Sequence, residues 1–168
     1  LIPEKDITLR GIGMINGDEF VASYMKDAHS VVYRFDIHGA MIGEVALPGI
    51  GSASGVGGHR VDTETFYTFT WYLYPPTIFK YDFTTGISTP FRESEIDVDL
   101  SNFTSEQVFY ESKDGTKIPM ILVHKKDLKL DGSNPTLLYG YGGFNISLTP
   151  RFSLTKFAWV EMGGVFAI

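Results

Sequence analysis

The chain has 168 residues, 43% hydrophobic and 14% aromatic, with 18 glycines and 8 prolines, enough for a real core in one domain or parts of two and rich in turns for a β protein. A net charge of −6 and a pI near 5.1 argue against a nucleic-acid partner, because phosphates attract basic surfaces. The absence of cysteine excludes disulfides, thiol catalysis and cysteine–zinc sites, and no apolar run approaches the roughly 20 residues that span a bilayer.

Leu1–Arg10 carries no basic-then-apolar signal pattern. The run that follows repeats itself. Phe20-Val21-Ala22-Ser23-Tyr24 aligns with Phe66-Tyr67-Thr68-Phe69-Thr70, and Val32-Tyr33-Arg34-Phe35-Asp36 with Ile78-Phe79-Lys80-Tyr81-Asp82, both at an offset of 46. Each unit reads as a strand, a polar break and a second strand ending in aromatic-Asp before a turn with Gly39 or Gly86. Short strands at this period suggest β-propeller blades, which need neighbours on both faces. Hairpin-rich stretches of a β-sandwich are the alternative, and two motifs at one offset favour the propeller. Gly11-Ile12-Gly13 and Gly49-Ile50-Gly51-Ser52-Ala53-Ser54-Gly55 lack the Gly-x-Gly-x-x-Gly spacing of a dinucleotide loop and read as blade-connecting turns.

Composition shifts over Pro90–Asn102. Arg92-Glu93-Ser94-Glu95 and Asp97-Val98-Asp99 read as a solvated crossing segment, which places a boundary near residue 96. Val108–Ser112 and Lys117–His124 are predicted strands joined by the Lys113-Asp114-Gly115-Thr116 hairpin turn. Pro119 suggests an edge position. A charged stretch from Lys125 to Asp131 and a Gly132-Ser133-Asn134-Pro135 turn lead to a third strand, Thr136–Tyr141, apolar enough to expect burial on both faces. Phe152, Lys156, Phe157, Val160 and Glu161 fall at helical spacing. Gly163-Gly164 ends that helix and Val165–Ile168 begins a fourth strand. With Leu1 at one end and a strand just begun at the other, the chain is expected to be an interior piece of a longer protein.

Val108-Phe109-Tyr110-x-Ser112-Lys113-Asp114-Gly115-Thr116-Lys117-Ile118-Pro119 resembles the hairpin that opens the peptidase domain of prolyl oligopeptidases, serine peptidases of family S9. Leu128–Pro135 and Leu138-Tyr139-Gly140-Tyr141-Gly142-Gly143-Phe144-Asn145-Ile146-Ser147 are similar to the segments that follow in that family. The resemblance is close across residues 103–168 and looser over residues 1–95. It implies partial β-propeller blades (all-β) followed by the beginning of an α/β-hydrolase domain: residues 1–95 as the C-terminal blades, residues 96–168 as the truncated N-terminal part of the peptidase domain. It also implies cleavage of short peptides after proline through a serine acyl-enzyme. Oligopeptidase B enzymes usually carry a Tyr-Gly-Ser-Tyr-Gly loop, and Tyr141-Gly142-Gly143-Phe144 sides with the proline-specific branch.

The family pattern places the Tyr141 phenol in the oxyanion hole and Phe144 in the wall of the proline pocket. A donor fixed beside the reacting carbonyl is worth roughly 3–4 kcal/mol, because the charge it meets exists only in the transition state. A flat ring packs on a pyrrolidine without needing a polar partner. Read without the family, Tyr141 is a strand-end tyrosine bonded to water and Phe144 a core residue under its loop. Gly140, Gly142 and Gly143 form the supporting loop, and Tyr139 is expected against the sheet or the neighbouring helix. No Gly-x-Ser-x-Gly elbow occurs, and the catalytic serine, aspartate and histidine are expected outside this chain. His29, His38, His59 and His124 show no metal spacing and read as loop or surface residues. No metal or other cofactor is expected. The expected partners are short proline-containing peptides, with neither nucleic acid nor membrane. The parent enzyme is expected to be monomeric and cytoplasmic, periplasmic or secreted placement staying open. A non-catalytic propeller-derived binding module, and a peptidase of acylaminoacyl or dipeptidyl specificity, are the alternatives.

Overall fold

A computed structural model describes residues 1–168 as twelve strands and one helix in three four-stranded sheets. The first sheet is an antiparallel meander of β1 (Thr8–Ile15), β2 (Glu19–Lys26), β3 (His29–Asp36) and β4 (Met41–Glu44). The second repeats it with β5 (Ser52–Ser54), β6 (Glu64–Trp71), β7 (Tyr74–Asp82) and β8 (Ile87–Arg92). These are the two predicted blades. Of the run Gly49–Gly55 expected as a connecting turn, Gly49–Gly51 lies in the connection between the blades but Ser52–Ser54 form β5, and Gly11 and Gly13 sit inside β1, where a bulge between Leu9 and Gly11 is the only irregularity. The aromatic-Asp signature has a simple cause. Asp36 Oδ1 accepts the amides of His38 and Ala40, and Asp82 Oδ1 those of Thr84 and Thr85. Each aspartate closes the turn after its strand, and the Thr85 amide above all holds the Asp82 carboxyl below its ordinary value.

The repeat is real, but one strand of it is displaced by a residue. Phe20 stands opposite Phe35, and Thr65 opposite Tyr81, so Thr65, not Phe66, is the counterpart of Phe20. A bulge explains the slip. Between the pairs Phe69–Thr77 and Trp71–Tyr74, β7 carries one residue more than β6, at Pro75-Pro76, which have no amide hydrogens to leave unpaired. A one-residue slip exchanges the two faces of a strand. Tyr67 and Phe69 therefore turn toward the first sheet, while Phe66 points away and stays exposed against Phe91.

Between the two blades, Ile15, Val21, Val32 and Val45 of the first pack on Tyr67, Phe69, Phe79 and Tyr81 of the second. Arg34 crosses this seam. Its guanidinium donates to Glu19, to the Tyr81 hydroxyl at 3.0 Å and to the Phe83 carbonyl at 3.2 Å. Burial alone would lower its pKa, and the bonds to Glu19 and Tyr81 outweigh that and hold it above its ordinary value. The far face of the first blade is covered by Ile2 and Ile7 over Ala22, Tyr24 and Phe35.

The third sheet changes character. β9 (Phe103–Glu111) and β10 (Lys117–Lys125) form the predicted hairpin, closed by Gly115 at φ +82° and by Asp114 accepting the Thr116 amide. β11 (Thr136–Leu138) then pairs in parallel with β12 (Val165–Ala167), which inserts beside β10 to give the order β11-β12-β10-β9. Between β11 and β12 runs α1 (Leu154–Glu161), ended by Gly163 at φ +95°. Two antiparallel strands followed by a parallel strand–helix–strand unit are the start of an α/β domain after partial propeller blades. No helix is long and apolar enough to cross a membrane.

Three expectations need correction. β11 is shorter than Thr136–Tyr141 and exposed along its length, because it has one neighbour and no layer over it. β10 is an interior strand. Pro119 is tolerated because it shares the direction of the Ile121 amide, which reaches Ile168, and lies beyond that last pair. His124 is a buried strand residue, not a surface one: Nδ1–H donates to the Lys125 carbonyl at 2.8 Å, and Nε2 lies 3.7 Å from Glu106. His29 begins β3 and is also partly buried, while His38 and His59 are exposed as expected.

Between the third sheet and α1 pack Phe103, Ile121, Val123 and Phe166 of the sheet and Phe157 and Val160 of the helix. Tyr72, from the β6–β7 turn, inserts into the same cluster. The Phe157 ring packs edge-on against Phe103, their centroids 4.6 Å apart. Phe157→Ala is expected to cost about 3–5 kcal/mol in urea unfolding, the loss for a core ring that leaves a cavity.

Candidate active-site cleft

The hairpin tips of both blades reach across to the third sheet. The β2–β3 turn is Asp27-Ala28, both left-handed at φ 45° and 64°, the geometry of a two-residue turn that matches strand twist. The Asp27 carbonyl accepts Gln107 Nε2 at 2.8 Å. From the β6–β7 tip, the Trp71 indole donates to Ser105 Oγ, and Thr70 Oγ1 accepts the Phe152 amide at 3.3 Å. These three bonds and the buried Tyr72 tie the blades to β9 and to the entry of α1.

Between them lies a cleft of about 540 Å³. One wall is Asp27–His29 with Trp71 and Tyr72, another is Ile118–Ile121 of β10, and the third is Leu138–Gly142 with Ile146–Leu148. Tyr141, Gly140 and Gly142 line it directly. Tyr141 is half exposed, as a residue must be to offer its hydroxyl to a ligand. Gly142 has φ +68°, which turns the chain back so that the Tyr141 ring lies beside Gly143. The Ile146 amide closes the loop on the Gly143 carbonyl at 3.1 Å.

Phe144 behaves differently. It lines no part of the cleft and is 92% exposed, with φ +51°, followed by Asn145 at φ +54°. A bulky residue in the left-handed region stores strain, and such outliers gather at binding sites. Tyr139, expected to pack on the sheet or helix, is half exposed and lines the cleft; the Lys156 ammonium of α1 lies 6.0 Å from its ring and 4.8 Å from that of Phe166. Burial first, then the charge of Arg151, lowers the Lys156 pKa. A larger open depression of about 810 Å³, between Asp97–Phe103, Lys125–Asp127 and α1, touches none of the predicted site residues.

The blade side of the cleft was not anticipated. Asp27-Ala28 lacks the glycine that marks such turns, so nothing local announces it. Trp71-Tyr72 carried a usable signal, since aromatics at a hairpin tip are costly unless they dock.

A sequence profile described as "Prolyl oligopeptidase, N-terminal beta-propeller domain" matches residues 1–94, more than half of the chain. The chain belongs to the prolyl oligopeptidase family. It is 51% identical over 152 residues to a prolyl endopeptidase of Elizabethkingia meningoseptica, covering 90% of this chain and 22% of that protein. It is 36% identical to the dual function macrocyclase-peptidase POPB of Galerina marginata, covering 98% of this chain and 23% of that one. A solved prolyl endopeptidase, 40% identical, superposes with a TM-score of 0.90 over 98% of this chain and 24% of that structure. Apo POPB from Galerina marginata, 36% identical, gives a TM-score of 0.80 with 98% and 24% covered. The chain thus spans about a fifth to a quarter of the length of these prolyl oligopeptidase relatives.

The Tyr72 phenol lines the cleft and is buried on its other side, which pushes its pKa from 10.0 up to about 12. The folded protein keeps a proton that the unfolded chain releases from about pH 10. This contribution to stability is therefore whole below pH 10 and lost as pH rises toward 12. Denaturant titrations across that window are expected to show a shallower loss for Tyr72→Phe than for the parent protein.

Proposed function

We propose that the protein is part of a serine endopeptidase that cleaves short peptides on the carboxyl side of proline. Residues 1–95 supply C-terminal blades of its propeller and residues 96–168 the start of its α/β-hydrolase domain. The change from antiparallel meanders to a sheet with parallel β11 and β12 supports that division, as does the match of the propeller profile to residues 1–94. One observation carries the functional reading. Tyr141 stands at the carboxyl end of β11 and faces a cleft whose opposite wall is made by the hairpin tips of two blades.

In this reading the substrate lies between blades and sheet. A serine from sequence outside this chain attacks the carbonyl carbon of the substrate proline itself, and a histidine, oriented by an aspartate, takes the serine hydroxyl proton. The carbonyl oxygen becomes negative as the tetrahedral intermediate forms. The Tyr141 hydroxyl donates to that oxygen, held by a loop that needs no rearrangement at the moment of reaction. Phe144 lines no part of this cleft and is 92% exposed, so in this reading its ring meets the substrate pyrrolidine only in the whole enzyme, where sequence outside this chain completes the pocket and the ring loses its water. The low polarity of the cleft's β10 wall strengthens the hydrogen bond to the oxyanion.

In the intact enzyme, Tyr141→Phe is expected to lower kcat on a chromogenic proline peptide by roughly 100- to 1,000-fold with KM little changed. An unchanged kcat removes the phenol from the reaction. Phe144→Ala is expected to lower kcat/KM roughly 10- to 100-fold, the burial of one ring, with the greater part in KM. The 168-residue chain alone is expected to be inert. Turnover by it that a serine-directed inhibitor blocks would overturn the assignment of the nucleophile to sequence outside it.

A further inference from the structure

A second pocket, of about 320 Å³, adjoins the cleft and shares Pro150 as a wall. Its lining comes from β1, β2, β3, β5 and β6 and from Thr149–Arg151 behind the glycine loop, with Arg10 on β1 and Ser52 on β5. No aspartate or glutamate lines it, in a chain whose net charge is −6. Neither arginine has a counter-charge. The four ion pairs are Arg34–Glu19, Arg60–Asp18, Lys80–Glu64 and His124–Glu106. Both arginines are exposed residues, and an anion in the space they share is attracted by two permanent cations.

The hydroxyls around them are unequally occupied. Ser30 Oγ is used by Ala53, accepting its amide at 3.0 Å, and Thr70 Oγ1 donates to the Tyr74 carbonyl at 3.0 Å. Ser52 Oγ is buried and has no partner. A buried hydroxyl without a partner is expensive and marks a place where a ligand atom fits. The arginines supply forked donors suited to planar or tetrahedral oxygens, and Ser52 adds a third direction of approach.

We infer that this pocket binds an oxyanion, a carboxylate or phosphate group, held by Arg10, Arg151 and Ser52. Two sources share that chemistry: the C-terminal carboxylate of a short peptide reaching past Pro150 from the cleft, and a free anion. Only the first rests on the peptidase reading.

The test has two arms on the intact protein. Thermal unfolding with inorganic phosphate, at constant ionic strength against chloride, is expected to raise Tm by about 1 °C at ten times the dissociation constant. The Arg10→Gln/Arg151→Gln double variant is expected to lose the rise, and Ser52→Ala, with both arginines in place, to shrink it. No rise, or an equal rise in the double variant, overturns the site. The second arm compares kcat/KM for one proline peptide as free acid and as C-terminal amide. A preference of about tenfold for the acid, lost in the double variant, assigns the pocket to the substrate carboxylate. Equal rates with the phosphate response intact assign it to a free anion. Failure of all turnover sinks the peptidase reading and leaves the thermal arm standing.

Discussion

The rest of the structure depends on one insertion: the Tyr72 side chain entering the core beneath α1. With Trp71 and Leu73 packed beside it, Tyr72 joins the blades to the mixed sheet through an apolar contact. Burying the ring between Phe166, Val160 and Phe157 makes the blade tip part of another element's core. Trp71 then stacks edge-on against Tyr72, its ring 5.2 Å away, and donates to Ser105. The apolar contact supplies the energy and the indole bond the orientation. That division of labour suits a large amphipathic side chain at a boundary. The width of the cleft follows, because one wall is attached to the other through residues that also line it.

The glycine loop relies on this attachment. Its backbone makes few bonds beyond Tyr139 to Ala167 and Ile146 to Gly143. Its aromatics are placed by chain geometry and not by packing. Gly142 turns the chain so that Tyr141 faces inward, and the left-handed Phe144 and Asn145 then carry the chain outward. The phenol of Tyr141 is turned toward the cleft, and the phenyl of Phe144, three residues on, lies outside it. The arginine pocket extends the same surface beyond Pro150, so the charge of this otherwise acidic chain is inverted where the cleft ends.

Much of this was legible in the residues. Aromatic-Asp pairs located the third strand of each blade, because an aspartate closing its own turn is a local device. Asp114-Gly115 located the hairpin for the same reason, and Gly163 the end of α1. Tyr141 was found through a motif and placed in a cavity by the structure. What escaped is nonlocal. The bulge at Pro75-Pro76 shifts one strand against the other, and aligned aromatics cannot reveal which face they share. Burial of His124 depends on the insertion of β12 beside β10, and exposure of β11 on its having one partner. The blade half of the cleft comes from residues some 80 positions from those it meets, such as Asp27 and Gln107. No window of sequence contains both.

Arg34 carries a consequence for the environment in which the cleft keeps its shape. Its pair with Glu19 is 16% and 18% exposed, while the Arg60–Asp18 pair on the rim is 60% exposed on both sides. Dissolved ions screen the second within a Debye length of about 8 Å and scarcely reach the first. In brine the rim contact fades and the seam between blades holds its angle, since Tyr81 and the Phe83 carbonyl keep the guanidinium in place as neutral acceptors. The seam between the two blades is thus insulated from the salinity of its surroundings.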